Sequence, residues 1–374
     1  MQLFIKSILA VIFTLSFLST TISKIGDLYS KDSPYLVQKI SIEETLLESM
    51  SVEEKVGQLF MFGFYGTTPT EHITKYITDK HIGGILLLGY NIENSVQLEN
   101  LITQLQSSSS IPLLISIDQE GGIVSRLTWN DILTFPQKNI SSGQQGYDIA
   151  YQRGLQLKEI GINMNLAPVV EYINNGNSFL YQRVFRGTKQ DVVEKGSSMI
   201  KGYTDSNIVS TLKHYPGHND SSPDSHYNMP IVDTTTSQWE EYIYTFKEIT
   251  EKENVPAIMI GHISLPNIDG KPSTISNEIL NNRLRKELGY DGVIITDDME
   301  MGSIEKVGEY TTVSKEALIA GNDILLYSGD SEVQTEVYEY ILGEVANGGI
   351  SEKLLDEKVL RILKLKIDYG IIPF

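Results

Sequence analysis

The chain has 374 residues, a length that a single α/β barrel with additions can fill, and its 41% apolar and 21% charged residues exclude wholesale disorder. Thirty Lys and Arg against 48 Asp and Glu give a formal charge of -18, which repels nucleic acid and anionic lipid instead of gathering them. With no Cys, disulfides, thiolate metal sites and a Cys nucleophile are excluded by arithmetic.

In chain order, Lys6 precedes an apolar run over residues 8–18, and the small polar stretch Ser19-Thr20-Thr21-Ile22-Ser23 follows. That order reads as an export segment over residues 1–25, which predicts a secreted, periplasmic or cell-surface protein. The run is short for a stable membrane span, so an uncleaved anchor is the alternative. From Ser51 onward short β-branched runs alternate with segments of helical spacing. Eight strands are predicted at residues 56–64, 83–88, 113–118, 163–170, 208–214, 257–262, 292–296 and 323–327. Helices are predicted at residues 95–106, 191–206, 236–252, 277–288, 314–320 and 351–369.

Eight serial βα units are the number that closes a (β/α)8 TIM barrel. An open doubly wound sheet would put a Gly-rich phosphate turn after its first strand, and Gly63-Phe64-Tyr65-Gly66 does not supply one. No Pro-, Gly- or Ser-rich linker interrupts the pattern, so residues 35–374 read as one barrel domain.

Polar residues gather after the apolar runs: Asp118-Gln119-Glu120-Gly121-Gly122, Lys213-His214, His262 and Asp297-Asp298. In a barrel that edge is the functional one. The densest stretch, residues 213–226, holds three of the six histidines on a loop containing Pro and Gly. Two chemistries fit. His214, His218, His226, His262 and Asp297 form a donor set for a water-activating metal, or the loop brings an acid/base to a sugar held by the strand ends. The first strand carries no His, and Pro216-Gly217 breaks the helix that paired His ligands would need, which weighs against the metal.

Residues 213–218 and Asp224-Ser225-His226 resemble the signature of glycoside hydrolase family 3, in its β-N-acetylglucosaminidase branch. Asp118-Gln119-Glu120-Gly121-Gly122 with Val124 and Arg126, residues 165–169 and residues 289–301 extend the resemblance over roughly residues 51–371. It implies a retaining β-N-acetylhexosaminidase that needs no cofactor or metal. Its implied partner is an oligosaccharide containing N-acetylglucosamine, from peptidoglycan or chitin-like fragments. By matching position it implies Asp297 as nucleophile, His226 as acid/base and Asp224 as the group orienting that imidazole. Asp118, Arg126, Arg183, Lys213 and His214 are implied to grip the sugar. Asp298, one step along an extended strand, is expected to point away and orient the neighbouring loop. A β-glucosidase of the same family and a catalytically silent glycan-binding surface protein are the alternatives. The chain departs from the family pattern at Arg183-Val184-Phe185-Arg186, at Glu171, and at Asn219 and Ser221.

Overall fold

The computed structural model describes residues 41–220, 224–329 and 332–373, so the export segment expected over residues 1–25 lies outside the described residues. Eight parallel strands close a barrel: β1 (Phe60–Gly63), β2 (Gly84–Leu87), β3 (Leu114–Ile117), β6 (Met164–Asn165), β7 (Val209–Tyr215), β8 (Ala257–Ile260), β9 (Val293–Asp298) and β10 (Ile324–Tyr327). Each pairs with the next in that order, and β10 returns to β1. A short antiparallel hairpin, β4 (Gln119–Gly121) and β5 (Val124–Ser125), follows β3. Every strand predicted from the sequence has its counterpart, and the (β/α)8 expectation holds. Because helices cover the outer face and side chains fill the inside, the barrel strands are apolar runs instead of alternating ones.

The first strand is shorter than expected. Ser51 caps a helix, Val52–Gln58, in a reciprocal box with Glu54, so the strand begins only at Phe60. The fourth predicted strand is also cut short. Pro168 has no N–H for a ladder, and pairing continues only as a single bridge from Val169 to Lys213. The predicted helix 236–252 breaks at Ile243 into Trp239–Tyr242 and Tyr244–Lys252, and the segment at 277–288 is the wider π-helical Glu278–Glu287.

Helix Gly143–Ile160 was not predicted. It packs against helix Lys189–Asp205 through glycines that thin its apolar stripe: a Cβ at Gly154 would meet Ser206 Oγ at 2.0 Å, and one at Gly202 would meet the Tyr147 carbonyl at 2.5 Å. This close approach matters for the site, because it sends Arg153 inward beneath the β4–β5 hairpin. Among the described residues no helix is long and apolar enough to cross a membrane.

Candidate active site

At the C-terminal ends of the strands lies a cavity of about 320 Å³. Asp118, Arg126, Arg183, Lys213, His214, His226 and Asp297 all line it, and Asp224 stands outside the lining. Two register shifts aim the strand residues. Along β7, Leu212 and Tyr215 pair with Ile258 and Ile260 of β8, so β7 carries one extra residue at Lys213-His214. Along β9, Ile295 and Asp298 pair with Ile324 and Leu326 of β10, so β9 carries one extra residue at Thr296-Asp297. A bulge turns consecutive side chains toward one face, which strict alternation forbids. Lys213 and His214 therefore both reach the cavity, as do Asp297 and Asp298.

That corrects the expectation that Asp298 points away. Its carboxylate is nevertheless occupied: it accepts from the backbone N–H groups of Glu300 and Ser328 and from the Ser328 hydroxyl, and so fixes the loops after β9 and β10. Buried His262 bonds Thr274 through Nδ1 and the Asp298 carbonyl through Nε2, bracing the same turn.

Asp297 is partly exposed and opens on the cavity. Burial opposes its ionisation, but the imidazoles of His214 and His262, the Asp298 N–H and the Lys213 ammonium hold the carboxyl below the usual range. Burial also pushes both imidazoles down. Near neutrality they act on Asp297 as dipoles, and the N–H and the ammonium are what favour the carboxylate.

The hairpin after β3 supplies the opposite wall. Gln119 is buried and spends its whole amide on the backbone, donating to the Leu127 and Leu133 carbonyls and accepting from the N–H groups of Arg126 and Leu127. Asn165 clamps the Gln119 backbone from β6, and Arg153 gathers the carbonyls of Glu120, Ile132 and Phe135. On this frame Glu120, a residue to which the sequence assigned no role, is the buried hub. It takes Arg183 through Nε at 2.9 Å and Nη2 at 2.7 Å, and Lys213 at 2.7 Å. Lys213 also reaches Asp118 at 2.7 Å, while Arg126 stands 3.7 Å from Asp118. Burial pushes the Glu120 carboxyl up, yet Arg183 and Lys213 bring it down to about 2. A buried carboxylate flanked by two cations stays charged, and it fixes both cations in the wall.

Arg183 rides on a loop with its own small core of Val169, Ile173, Leu180 and Val184, which accounts for Val184 at a departure from the family pattern. Arg186, another departure, stacks 3.6 Å over the Tyr181 ring and does not line the cavity. Glu171 is buried and joins two histidines: it accepts from His214 Nδ1 at 2.9 Å, and from the His218 N–H at 2.8 Å and Nδ1 at 2.6 Å. Glu171, His214 and His218 are the one group among the described residues with the makings of a metal site. Glu171 spends both carboxylate oxygens on the two Nδ1 atoms and the His218 N–H at hydrogen-bond lengths, while His218 Nε2 is buried without a hydrogen-bond partner. The carboxylate orients the two rings, and its own pKa is held far down by them against burial.

Beyond β7 the chain forms the loop that bears Asp224 and His226. His226 Nδ1–H donates to Asp224 Oδ1 at 2.6 Å, and the same oxygen accepts the His226 backbone N–H at 3.0 Å. The imidazole is 58% exposed, which sets it apart from every other histidine that lines the cavity. Burial is the largest single influence on the Asp224 carboxyl and opposes its charge, but the side-chain and backbone hydrogen bonds from His226 together bring it below its ordinary value.

The glycosyl hydrolase family 3 N-terminal domain matches residues 51–365. The chain is 31% identical over 333 residues to beta-hexosaminidase A of Pseudoalteromonas piscicida, covering 80% of this chain and 56% of that protein. It is 30% identical over 281 residues to beta-hexosaminidase of Shewanella frigidimarina, covering 72% and 82%. A solved family 3 beta-N-acetylglucosaminidase from Paenibacillus sp. superposes with a TM-score of 0.82 at 34% identity, over 86% of this chain and 63% of that one. The chain thus spans little more than half the length of the Pseudoalteromonas protein. With a closed barrel, the motif residues at its strand ends and a family match over residues 51–365, this chain belongs to glycosyl hydrolase family 3.

Proposed function

We propose that this chain is a retaining β-N-acetylglucosaminidase that removes terminal β-linked N-acetylglucosamine from peptidoglycan fragments or chitooligosaccharides. The observation that carries the reading is the convergence on one cavity of Asp297, held as a carboxylate, and His226, oriented by Asp224. Beta-hexosaminidases among the relatives support the choice of sugar.

In the first step an Asp297 oxygen bonds to the anomeric carbon, the glycosidic C–O bond breaks, and the His226 Nε2 proton passes to the leaving oxygen. Asp224 occupies Nδ1, so Nε2 is the nitrogen that exchanges the proton. In the second step His226 takes a proton from water, the hydroxide oxygen bonds to the anomeric carbon, and the Asp297 ester opens with net retention. Asp118, Arg126, Lys213 and His214 grip the sugar hydroxyls. Arg183 keeps Nη1 for the substrate, because Glu120 holds Nε and Nη2. On the same reading, residues 1–25 export the chain to act as a secreted, periplasmic or cell-surface enzyme.

The test is nitrophenol release from the β-N-acetylglucosaminide and the β-glucoside, side by side, with and without chelator. Selective, chelator-insensitive cleavage of the first is expected. Preference for the glucoside would replace the sugar, and loss of activity with chelator would revive the Glu171, His214 and His218 group as a metal site.

A further inference from the structure

We infer that Lys306 and Gly302 are positioning residues that hold the His226 loop over the cavity, tying the proposed acid to the segment carrying the proposed nucleophile. The inference rests on the hydrolase reading above and adds to it the device that sets the acid in place.

Inside the loop Asp224 closes a turn: its carbonyl accepts the backbone N–H groups of Tyr227 and Asn228, each at 3.1 Å. Of residues 224–228 only Ser225 is buried, and Tyr227 is 70% exposed. At the near end Asp220 accepts the backbone N–H groups of Asn174 at 2.7 Å and Asn175 at 3.0 Å. The far end is tied to the segment leaving β9. Gly302 N–H donates to the His226 carbonyl at 3.2 Å, and Lys306 Nζ donates to the Tyr227 carbonyl at 3.1 Å and to Asn228 Oδ1 at 3.3 Å.

That segment is itself firm. Met299, Met301, Ser303 and Ile304 are buried, and Met301 N–H returns to the Asp298 carbonyl. It begins two residues after Asp297, so three hydrogen bonds fix the acid relative to the nucleophile through one short stretch of chain. The approach at Gly302 is close: a Cβ there would stand 3.0 Å from the His226 carbonyl oxygen and 3.5 Å from Tyr227 Cα. Any larger residue must push the loop outward. Placement to within a fraction of an ångström governs proton transfer, so a loop released from Lys306 loses the acid without losing the cavity.

The experiment compares Lys306→Met, Lys306→Arg and Gly302→Ala with the wild-type chain on two substrates. One is the N-acetylglucosamine disaccharide, whose leaving group needs a proton. The other is the dinitrophenyl β-N-acetylglucosaminide, whose leaving group does not. Lys306 is exposed, so the fold should survive, and melting temperature checks that.

For Lys306→Met the expected loss of kcat is about tenfold or more on the disaccharide and less than about threefold on the dinitrophenyl glycoside, with KM nearly unchanged. Lys306→Arg should recover most of the loss, and Gly302→Ala should show the same split. In a His226→Ala background, Lys306→Met should cost nothing further, because its effect passes through that imidazole. Hydrogen exchange over residues 224–228 should quicken in Lys306→Met. Equal losses on both substrates, an added loss in the His226→Ala background, or unchanged exchange would each overturn the assignment. Wild-type protein inert on both substrates would instead overturn the hydrolase reading, and this assignment with it.

Discussion

The two residues proposed to do the chemistry stand on different kinds of support. Asp297 stands next to the end of a barrel strand, between the Glu120, Lys213 and Arg183 network on one side and the Asp298 and His262 brace on the other. His226 sits on a loop, 58% exposed, held by Asp224 and by a few bonds to residues 302–306. The strand end supplies a rigid electrostatic setting in which one carboxylate is kept ionised. The loop supplies an imidazole that can meet solvent, leaving group and water in turn. Rigidity suits a nucleophile that must attack along one line, and exposure suits a group that must gain and lose a proton in every turnover.

Substitution at the strand end should have the largest effect. Asp297→Asn removes the attacking oxygen but keeps the shape, so kcat on the nitrophenyl β-N-acetylglucosaminide should fall about 10⁴-fold or more with circular dichroism unchanged. Activity within tenfold of wild type would show that the rigid carboxylate is not the nucleophile. On the loop, His226→Ala should cost about 10³-fold on the disaccharide and far less on a dinitrophenyl glycoside. Equal loss on both would mean that the exposed imidazole does something other than donate a proton. Together the two variants separate the rigid half of the site from the mobile proton.

Glu120→Gln sharpens the contrast from the structural side. It leaves Lys213 and Arg183 in the wall with one negative charge fewer, so unfolding free energy should drop by about 3 kcal/mol, read from the denaturant midpoint. KM should rise, because both cations lose the group that aims them. No change in stability would mean that solvent already compensates the network.

Glu120 also marks where the sequence stopped being legible. The barrel could be read because apolar runs and helical spacing are local patterns, and the arrival of Asp297 and His226 at one cavity could be read because they fall in resembling motifs, whose implied roles the variants above test. Glu120 falls in the Asp118–Gly122 motif, but nothing local says that its partners are 63 and 93 residues away. Its signal was a charged residue followed by Gly121-Gly122 directly after a strand, on the functional edge. The bulges in β7 and β9 were invisible for a different reason: register is a property of two strands, and each strand alone looks regular. Helix Gly143–Ile160 was missed because the glycines that let it pack closely are the residues that weaken helical patterning.

The smallest expected effect lies at the opposite end of the barrel, where Lys366 is buried and its ammonium meets Gln58 Oε1 at 2.6 Å. Burial alone brings this amine from the ordinary 10.5 down to about 7. The unfolded chain keeps the proton up to its ordinary value, so between these limits the unfolded state binds more protons and stability rises with pH. Below about pH 7 both states carry the charge, and the folded state bears the full cost of burying it. Lys366→Met removes that cost. Its stability advantage should be largest near pH 6 and should shrink by about 1.4 kcal/mol by about pH 8, one proton's worth per unit. Denaturant midpoints for both proteins at the two pH values measure it. A difference that does not vary with pH would mean that the amine stays charged in its pocket. At either pH Lys366→Met should match the wild-type kcat on the nitrophenyl substrate, because Lys366 does not line the cavity that holds Asp297 and His226.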